Sequence, residues 1–280
     1  MICFSGKREP VDHLNKSEPT RAISILLHQG EESSPMVVVI PMAGRGSRFS
    51  DSQPLTPKPL IPVAGRPIVA HALDSLSGLC PKRIVFVALR EHESRFAVST
   101  LLRNLSGPNA EVVLLDSVTE GQLCTVLAAR KFIDPAERLL IASSDTYVVS
   151  DLASDIANCD PTCHGLISVA NAPGDQWSFA RVDEAGDVVE VAEKIRVSDY
   201  ASTGLYYFSR ASEFLEIADA IVQNREKTKD EYYVMPVYGK YVERGWRVRL
   251  SLARAMWDMG TPEALGVFER YLSSVGMGAL

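Results

Sequence analysis

Short hydrophobic runs alternate with longer amphipathic stretches along most of the chain. The short runs are typical of strands buried on both faces, and the stretches between them are typical of helices that cover such strands. From residue 36 onward this alternation predicts a three-layer α/β/α fold with a mainly parallel mixed sheet. The predicted strands are Val37–Pro41, Ile84–Leu89, Val112–Leu115, Leu139–Ala142 and Leu166–Ala170, and the predicted helices are Ile68–Leu76, His92–Leu105, Gly121–Phe132 and Asp151–Asn158.

The C-terminal part of the sequence has a less regular pattern. Residues 177–193 predict a β-hairpin with a glycine-containing turn. The fold is then predicted to close with a strand at 203–208, helices at 211–223 and 231–244, and a strand near 247–253. Thr261 followed by Pro262 is typical of an N-cap and a first helical turn, so the last helix is predicted to start there.

Residues 1–35 differ from the remainder of the chain. They mix charges with prolines and serines, contain one brief hydrophobic stretch at Ile23–Leu27, and lack the pattern of a secretion signal. We predict a poorly ordered extension at 1–35 and one domain at 36–280. A docked helix around 20–28 is the alternative.

Composition narrows the class of protein. A chain of 280 residues with 46% hydrophobic residues is long enough for one large domain with a substantial core. No hydrophobic run approaches the ~20 residues of a membrane span, so no membrane association is expected. The net charge of −6 argues against a general nucleic-acid binder. The five cysteines are odd in number and scattered, which favours a reducing, cytoplasmic compartment.

The segment most informative about function is residues 40–60. It reads Ile-Pro-Met-Ala-Gly-Arg-Gly-Ser-Arg-Phe from Ile40 to Phe49, and Thr-Pro-Lys-Pro stands at 56–59. Glycines let backbone N–H groups approach an anion closely, and nearby cations offset its charge. Because the segment comes directly after a predicted strand, and open α/β sheets bind phosphorylated ligands at strand ends, it predicts a triphosphate-binding loop.

Other kinds of glycine-containing loop fit this segment less well. For Gly44 and Gly46 alone, an ordinary turn is the alternative. The dinucleotide fingerprint fails because Phe49 stands where its third glycine should be, and the P-loop fails because no Gly-Lys-Ser/Thr is present after the glycines.

The chain resembles the sugar-phosphate nucleotidyltransferases, also called nucleotide-sugar pyrophosphorylases. Several motifs arrive in that family's order, which is far harder to obtain by chance than one motif. The matching stretches are Ala43–Ile68, Glu120-Gly121, Ser144-Asp145, Glu193-Lys194, Tyr200–Tyr206 and Trp257–Pro262. The resemblance implies the nucleotide-diphospho-sugar transferase (glycosyltransferase-A-like) fold. The implied reaction joins a nucleoside triphosphate to a sugar 1-phosphate and releases pyrophosphate.

The implied chemistry assigns roles at the triphosphate. A guanidinium grips several phosphate oxygens at once, so Arg48 is expected to hold the leaving pyrophosphate. Lys58, fixed between two prolines, is expected to add a point charge. Asp145 comes after a predicted strand and, together with Asp258, is expected to bind Mg²⁺. For each residue a structural role, as a surface cation or a turn carboxylate, is the alternative.

The resemblance also assigns contacts with the two substrates. Lys194 is expected to contact the incoming sugar phosphate, while Glu193 hydrogen-bonds sugar hydroxyls and Gly204 lets the backbone approach the sugar. Nucleotide contacts are expected from Met42, Ala43, Gly44, Gly46 and Gly121.

Trp177-Ser178 stands where relatives that use glucose 1-phosphate often carry Tyr-Gly. A bulkier indole would reshape the sugar pocket, so glucose is not carried over as the substrate. This pair resembles a subgroup linked to capsule and surface-polysaccharide synthesis, and the acceptor could be an uncommon sugar or a non-sugar phosphate.

Two other functions compete with this one. A catalytically silent sugar-nucleotide-binding module on the same fold would be expected to have lost a cation or a metal carboxylate. A glycosyltransferase of related fold often carries Asp-x-Asp, which is absent near 145. The enzyme is therefore favoured, with a nucleoside triphosphate and a sugar phosphate as its partners, and a homo-oligomer is compatible with the sequence.

Overall fold

A mixed β-sheet forms the centre of the computed structural model, which describes residues 34–44, 46–49 and 56–276. The predicted N-terminal extension and its alternative helix at 20–28 lie outside these residues, apart from Ser34 and Pro35. In the described part of the chain, no helix is long and apolar enough to cross a membrane.

The strands of the described residues lie between Met36 and Asp258. They are β1 (Met36–Pro41), β2 (Pro62–Val63), β3 (Arg66–Pro67), β4 (Arg83–Leu89), β5 (Ala110–Leu115), β6 (Arg138–Ala142), β7 (Thr146–Ser150), β8 (Cys163–Asn171), β9 (Ser178–Val182), β10 (Val188–Glu193), β11 (Tyr200–Phe208) and β12 (Arg247–Asp258).

The described helices alternate with these strands. They are α1 (Ile68–Asp74), α2 (Arg90–Phe96), α3 (Val98–Ser106), α4 (Gln122–Leu127), α5 (Leu152–Ala157), α6 (Ala211–Gln223), α7 (Met235–Glu243) and α8 (Pro262–Ser274). Short 3₁₀ turns lie at Ser47–Phe49, Lys58–Leu60 and Arg130–Phe132.

The strand order places several strand ends at one edge of the sheet. The main path is β5-β4-β1-β6-β11-β8-β12-β7, and the β9–β10 hairpin joins it through β11. Strand β11 is antiparallel to β6 and β8, and β7 is antiparallel to β12, whereas the other neighbouring pairs on the path are parallel. The carboxyl ends of β1, β6 and β12 therefore face the same way, which is where ligands bind in open α/β sheets.

Helices cover both faces of the sheet. Along β1, Val37 and Val39 pack into one buried cluster with α4, α6 and α7, while Val38 and Ile40 pack into another with α1, α3 and α5. Alternate residues of a strand point to opposite faces, so both faces are buried. The predicted three-layer fold class is confirmed.

Two predicted helices are interrupted. The helix predicted at His92–Leu105 is two helices, α2 and α3, because Ala97 between them has a left-handed backbone with φ 48°. The Glu93 carboxylate accepts the N–H of Ser99 (2.7 Å) and so starts the second helix. The helix predicted at Gly121–Phe132 ends at Leu127 and continues only as a 3₁₀ turn.

Other boundaries also differ from the prediction. The helix predicted at 231–244 begins at Met235, because Pro236 belongs in a first turn and the preceding residues form a tight turn with left-handed Lys229 and Asp230. Strand β7 was not predicted, and β12 continues to Asp258 because it pairs with β7. The start of α8 is confirmed, since the Thr261 side chain accepts the N–H of Ala264 (3.2 Å).

Candidate active site

The predicted triphosphate-binding loop, called the glycine loop below after Gly44 and Gly46, begins at the carboxyl end of β1. The N–H of Met42 still donates to the carbonyl oxygen of Val87 in β4 (2.9 Å), and the chain then leaves the sheet. Phe49 is only 2% exposed and packs with Met259 and Phe268. The residue that breaks the dinucleotide fingerprint therefore anchors the far side of the loop in the core. Arg48 beside it remains exposed.

Lys58 packs directly against Gly46. A Cβ added at Gly46, whose φ is +63°, would lie 2.9 Å from the Cβ of Lys58. Pro59 is buried, and the N–H of Ile61 closes the turn onto the Lys58 carbonyl oxygen (3.2 Å). The Lys58 ammonium forms an ion pair with the Asp145 carboxylate. The lysine is thus aimed at the carboxyl end of β6.

Backbone pairing brings Asp145 and Asp258 side by side. Asp145 immediately precedes β7, whose first residue, Thr146, pairs with Asp258 at the end of β12. The N–H of Met259 donates to the carbonyl oxygen of Asp145 (2.8 Å), and the N–H of Gly260 donates to Oδ1 of Asp258 (2.8 Å).

The surroundings of this pair disfavour the charged form of Asp258. Burial raises the pKa of the Asp258 carboxyl, and the charge of Asp145 raises it further. Lys58 and Arg48 act in the opposite direction on the same pKa, which places both cations within electrostatic reach of Asp258.

The β9–β10 hairpin builds the other end of the site. Ser178 pairs with Glu193, and the N–H of Lys194 donates to the carbonyl oxygen of Trp177 (2.9 Å). Glu193 is 8% exposed and accepts a hydrogen bond from the Ser178 hydroxyl. Burial raises the pKa of Glu193. A buried carboxylate therefore adjoins the half-buried Lys194.

Two of the predicted glycines are required by close packing. A Cβ at Gly204, where φ is +83°, would lie 2.2 Å from the Ser143 hydroxyl oxygen. A Cβ at Gly121, where φ is +137°, would lie 2.5 Å from backbone atoms of Tyr232. Packing alone therefore demands glycine at both positions, and their substrate contacts stay a prediction.

The structure gathers all the predicted site residues around two adjoining pockets. The first has a volume of about 400 Å³ and the second about 480 Å³, and they share Pro41, Gly44, Gly46, Gln122 and Glu231. Of the predicted residues, the first is lined by Met42, Gly44, Gly46, Arg48, Lys58, Asp145, Trp177, Glu193, Lys194, Gly204 and Asp258. Ala43 and Gly121 line the second pocket, on the side of α4.

Sequence analysis missed several residues of the first pocket. Tyr206, Glu231 and Tyr233 also line it. Burial and the charge of Glu193 raise the pKa of Tyr206 to about 12, so its hydroxyl stays protonated. Glu231 and Tyr233 fall within a predicted helix, although Pro236 is the signal that the helix starts later.

The candidate metal ligands in the described residues are the two carboxylates of Asp145 and Asp258. Among residues 34–44, 46–49 and 56–276, no three or more His, Cys, Asp and Glu side chains gather as a metal site. The charge of Asp145 disfavours ionisation of Asp258, and a divalent cation between them would relieve that repulsion. Mg²⁺ is often bound by one or two carboxylates together with substrate phosphates, so the pair fits such an ion.

Comparison with known proteins identifies the family. Residues 38–193 match the MobA-like NTP transferase domain. The nucleoside-diphosphate-sugar pyrophosphorylase from Vibrio cholerae RC9 has a similar structure, with a TM-score of 0.71 and 27% sequence identity, over 83% of this chain and 99% of that one.

Two curated relatives are similar over part of their length. The bifunctional protein GlmU of Pseudothermotoga lettingae is 28% identical over 75% of this chain and 45% of its own length. The CMP-5'-(3-aminopropyl)phosphonate synthase of Streptomyces rubellomurinus is 36% identical over 37% of this chain and 16% of its own length. The chain thus spans less than half of these two relatives. It belongs to the MobA-like NTP transferase domain family, and these similarities support its resemblance to the sugar-phosphate nucleotidyltransferases.

Proposed function

We propose that this protein transfers a nucleoside monophosphate from a nucleoside triphosphate to a sugar 1-phosphate or a related phosphate. The products are pyrophosphate and a nucleotide-activated sugar. The observation that carries the proposal is the convergence of Arg48 and Lys58, the Asp145–Asp258 pair and the Glu193-Lys194 pair on one pocket. A silent relative would be expected to lack one of these charged groups, and all of them are present.

The triphosphate is proposed to lie along the glycine loop. Its phosphates would meet the backbone at Gly44 and Gly46, and its nucleoside would extend past Met42 and Ala43 toward Gly121 in the second pocket. Open space around Gly44, where an added Cβ would meet nothing within 4 Å, leaves room for a phosphate close to the backbone.

The acceptor is proposed to bind at the hairpin end. Lys194 would hold its phosphate, and Glu193 and Trp177 would contact the group that the phosphate carries. The buried Glu193 carboxylate, already held by Ser178, can accept hydrogen bonds from hydroxyls or an amine of the acceptor.

The reaction needs positioning more than proton transfer. An oxygen of the acceptor phosphate attacks the α-phosphorus of the triphosphate, and the bond from that phosphorus to the oxygen bridging the β-phosphate breaks. The nucleophile is already an anion, so no general base is required, and the main tasks are alignment and stabilisation of the charge on the departing pyrophosphate. Arg48 and Lys58 are proposed to stabilise that charge.

A divalent cation, proposed as Mg²⁺, would be held by Asp145 and Asp258. When bound, such an ion neutralises phosphate charge that side-chain cations do not reach. In the structure Lys58 forms an ion pair with one of these carboxylates, so the residues around the pair already compensate part of its charge.

A substrate matrix tests this proposal. Each nucleoside triphosphate is paired with a panel of sugar 1-phosphates, other phosphate monoesters and an aminoalkyl phosphonate, with Mg²⁺ present. The phosphonate is included because one relative is named for a product of that class. We expect pyrophosphate release that requires both substrates, with an equal amount of condensed product by mass spectrometry. Pyrophosphate release that never depends on an acceptor would overturn the proposal.

A further inference from the structure

Lys194 contacts Tyr233, a residue to which the proposed reaction gives no role. The Lys194 ammonium donates a hydrogen bond to the Tyr233 hydroxyl oxygen, and its Nζ lies 4.6 Å from the centroid of the tyrosine ring. The backbone of Lys194 is itself left-handed, with φ 56°. Both ends of this side chain are therefore constrained.

The backbone next to Tyr233 is fixed to the opposite side of the site. The N–H of Tyr232 donates to the carbonyl oxygen of Glu120 (2.9 Å), and the N–H of Leu123 donates to the carbonyl oxygen of Tyr232 (3.0 Å). These bonds flank Gly121, which packs against the Tyr232 backbone. Tyr233 therefore stands on a segment anchored to the start of α4, while its side chain reaches Lys194 on the hairpin.

The Tyr233 hydroxyl is suited to orient an ammonium. Burial raises the pKa of Tyr233, and a hydrogen bond with Glu231 raises it further, so the phenol stays protonated. A neutral phenol can accept from Lys194 with its oxygen while donating its own proton to the Glu231 carboxylate. Because the phenol carries no charge of its own, it orients the ammonium without neutralising it, and the ammonium remains available to a phosphate.

We infer that Tyr233 is a positioning residue that holds the Lys194 ammonium toward the acceptor-binding end of the pocket. A lysine side chain has several rotatable bonds, and holding it in one direction before the acceptor arrives lowers the entropy lost on binding. The inference rests on the proposed function for the identity of the acceptor phosphate. The contact between the two side chains can be tested without any substrate.

The kinetic test compares two neighbouring tyrosines. Tyr233→Phe keeps the ring and removes the hydroxyl that Lys194 contacts. Tyr232→Phe is the matched control, because its hydroxyl points to the carbonyl oxygen of Val222 (3.5 Å). With the best substrate pair, Tyr233→Phe should raise the KM for the acceptor roughly fivefold to tenfold, the size expected when one typical intramolecular hydrogen bond is lost. The KM for the triphosphate should stay within about twofold, and the change should vanish on a Lys194→Ala background.

The substrate-free test measures the reactivity of Lys194. Competitive acylation of the folded proteins, read by peptide mass spectrometry, should modify Lys194 faster in Tyr233→Phe than in the wild type or Tyr232→Phe. Equal acylation rates in all three proteins would overturn the inference, and so would an unchanged acceptor KM. If no substrate pair reacts with the wild type, the proposed function fails, and the acylation rates still decide whether Tyr233 holds Lys194.

Discussion

Gly46 and Lys58 touch across the base of the glycine loop, where a Cβ at position 46 would come within 2.9 Å of the Cβ of Lys58. The left-handed backbone of Gly46 (φ +63°) adds a second reason why only glycine fits. Since Lys58 also forms the ion pair with Asp145, the glycine determines where a proposed catalytic cation stands.

Gly46→Ala should therefore disturb both stability and activity. A left-handed backbone costs a residue with a Cβ about 1–2 kcal/mol, and Lys58 must shift as well. We expect a lower melting temperature than the wild type and at least ~10-fold lower turnover. Gly44→Ala is the stability control, because a Cβ there meets nothing within 4 Å. Equal melting temperatures for the two variants would contradict this explanation of Gly46.

Arg48→Ala should lower turnover by at least ~10²-fold and leave the melting temperature nearly unchanged. The arginine is exposed, so the fold does not depend on it, and loss of one preorganised transition-state donor typically costs about 3 kcal/mol. Steady-state rates of pyrophosphate release measure the effect. Arg90→Ala, which removes an exposed arginine from α2, serves as the control. Near-normal turnover of folded Arg48→Ala would remove Arg48 from the mechanism.

Asp258→Asn should stabilise the metal-free protein while abolishing most activity. The pKa of Asp258 is raised in the folded state, so that state binds the proton more tightly than the unfolded chain does. The free energy of unfolding should consequently fall as the pH rises from about 4, the ordinary carboxyl range, through the raised pKa. Asparagine removes this penalty, and its side-chain oxygen can still accept the N–H of Gly260.

Thermal denaturation between pH 4 and pH 8 without metal measures this effect. The variant should melt at a higher temperature than the wild type near neutral pH. The two melting temperatures should converge in acid. Added Mg²⁺ should then raise the melting temperature of the wild type more than that of the variant. Glu111→Gln, a change at an exposed position on β5, controls for general charge effects. A constant difference in melting temperature between the wild type and the variant across this pH range would refute the proposed electrostatic cost of Asp258.

Lys194→Ala should weaken use of the acceptor far more than binding of the triphosphate. The lysine directly follows strand β10 of the β9–β10 hairpin. It therefore belongs to a different part of the site from the glycine loop. We expect the KM for the acceptor to rise at least ~10-fold, because a charge-assisted hydrogen bond is lost. Titrating each substrate separately measures the two effects, with exposed Lys131→Ala as control. An equal loss for both substrates would assign Lys194 to the triphosphate.

Local patterns predicted much of the fold and the site. The strands around β1 are short hydrophobic runs, and the glycine loop is a contiguous motif, so both can be identified without tertiary information. Ala97 could not be identified as a break, because nothing about an alanine signals a left-handed backbone. Strand β7 was missed because its pairing with β12 involves residues far apart in sequence. Tyr233 was missed for the same reason, since its partner Lys194 belongs to another element.

The central claim is that an oxygen of the acceptor phosphate attacks the α-phosphorus and expels pyrophosphate. It is tested most directly with an acceptor whose phosphate oxygens are labelled with ¹⁸O, using the best substrate pair and Mg²⁺. Mass spectrometry should find the label in the nucleotide-activated product and none in the pyrophosphate, with the two products in equal amounts. Label in the pyrophosphate, or an unlabelled nucleoside monophosphate formed at the same rate without acceptor, would contradict the account.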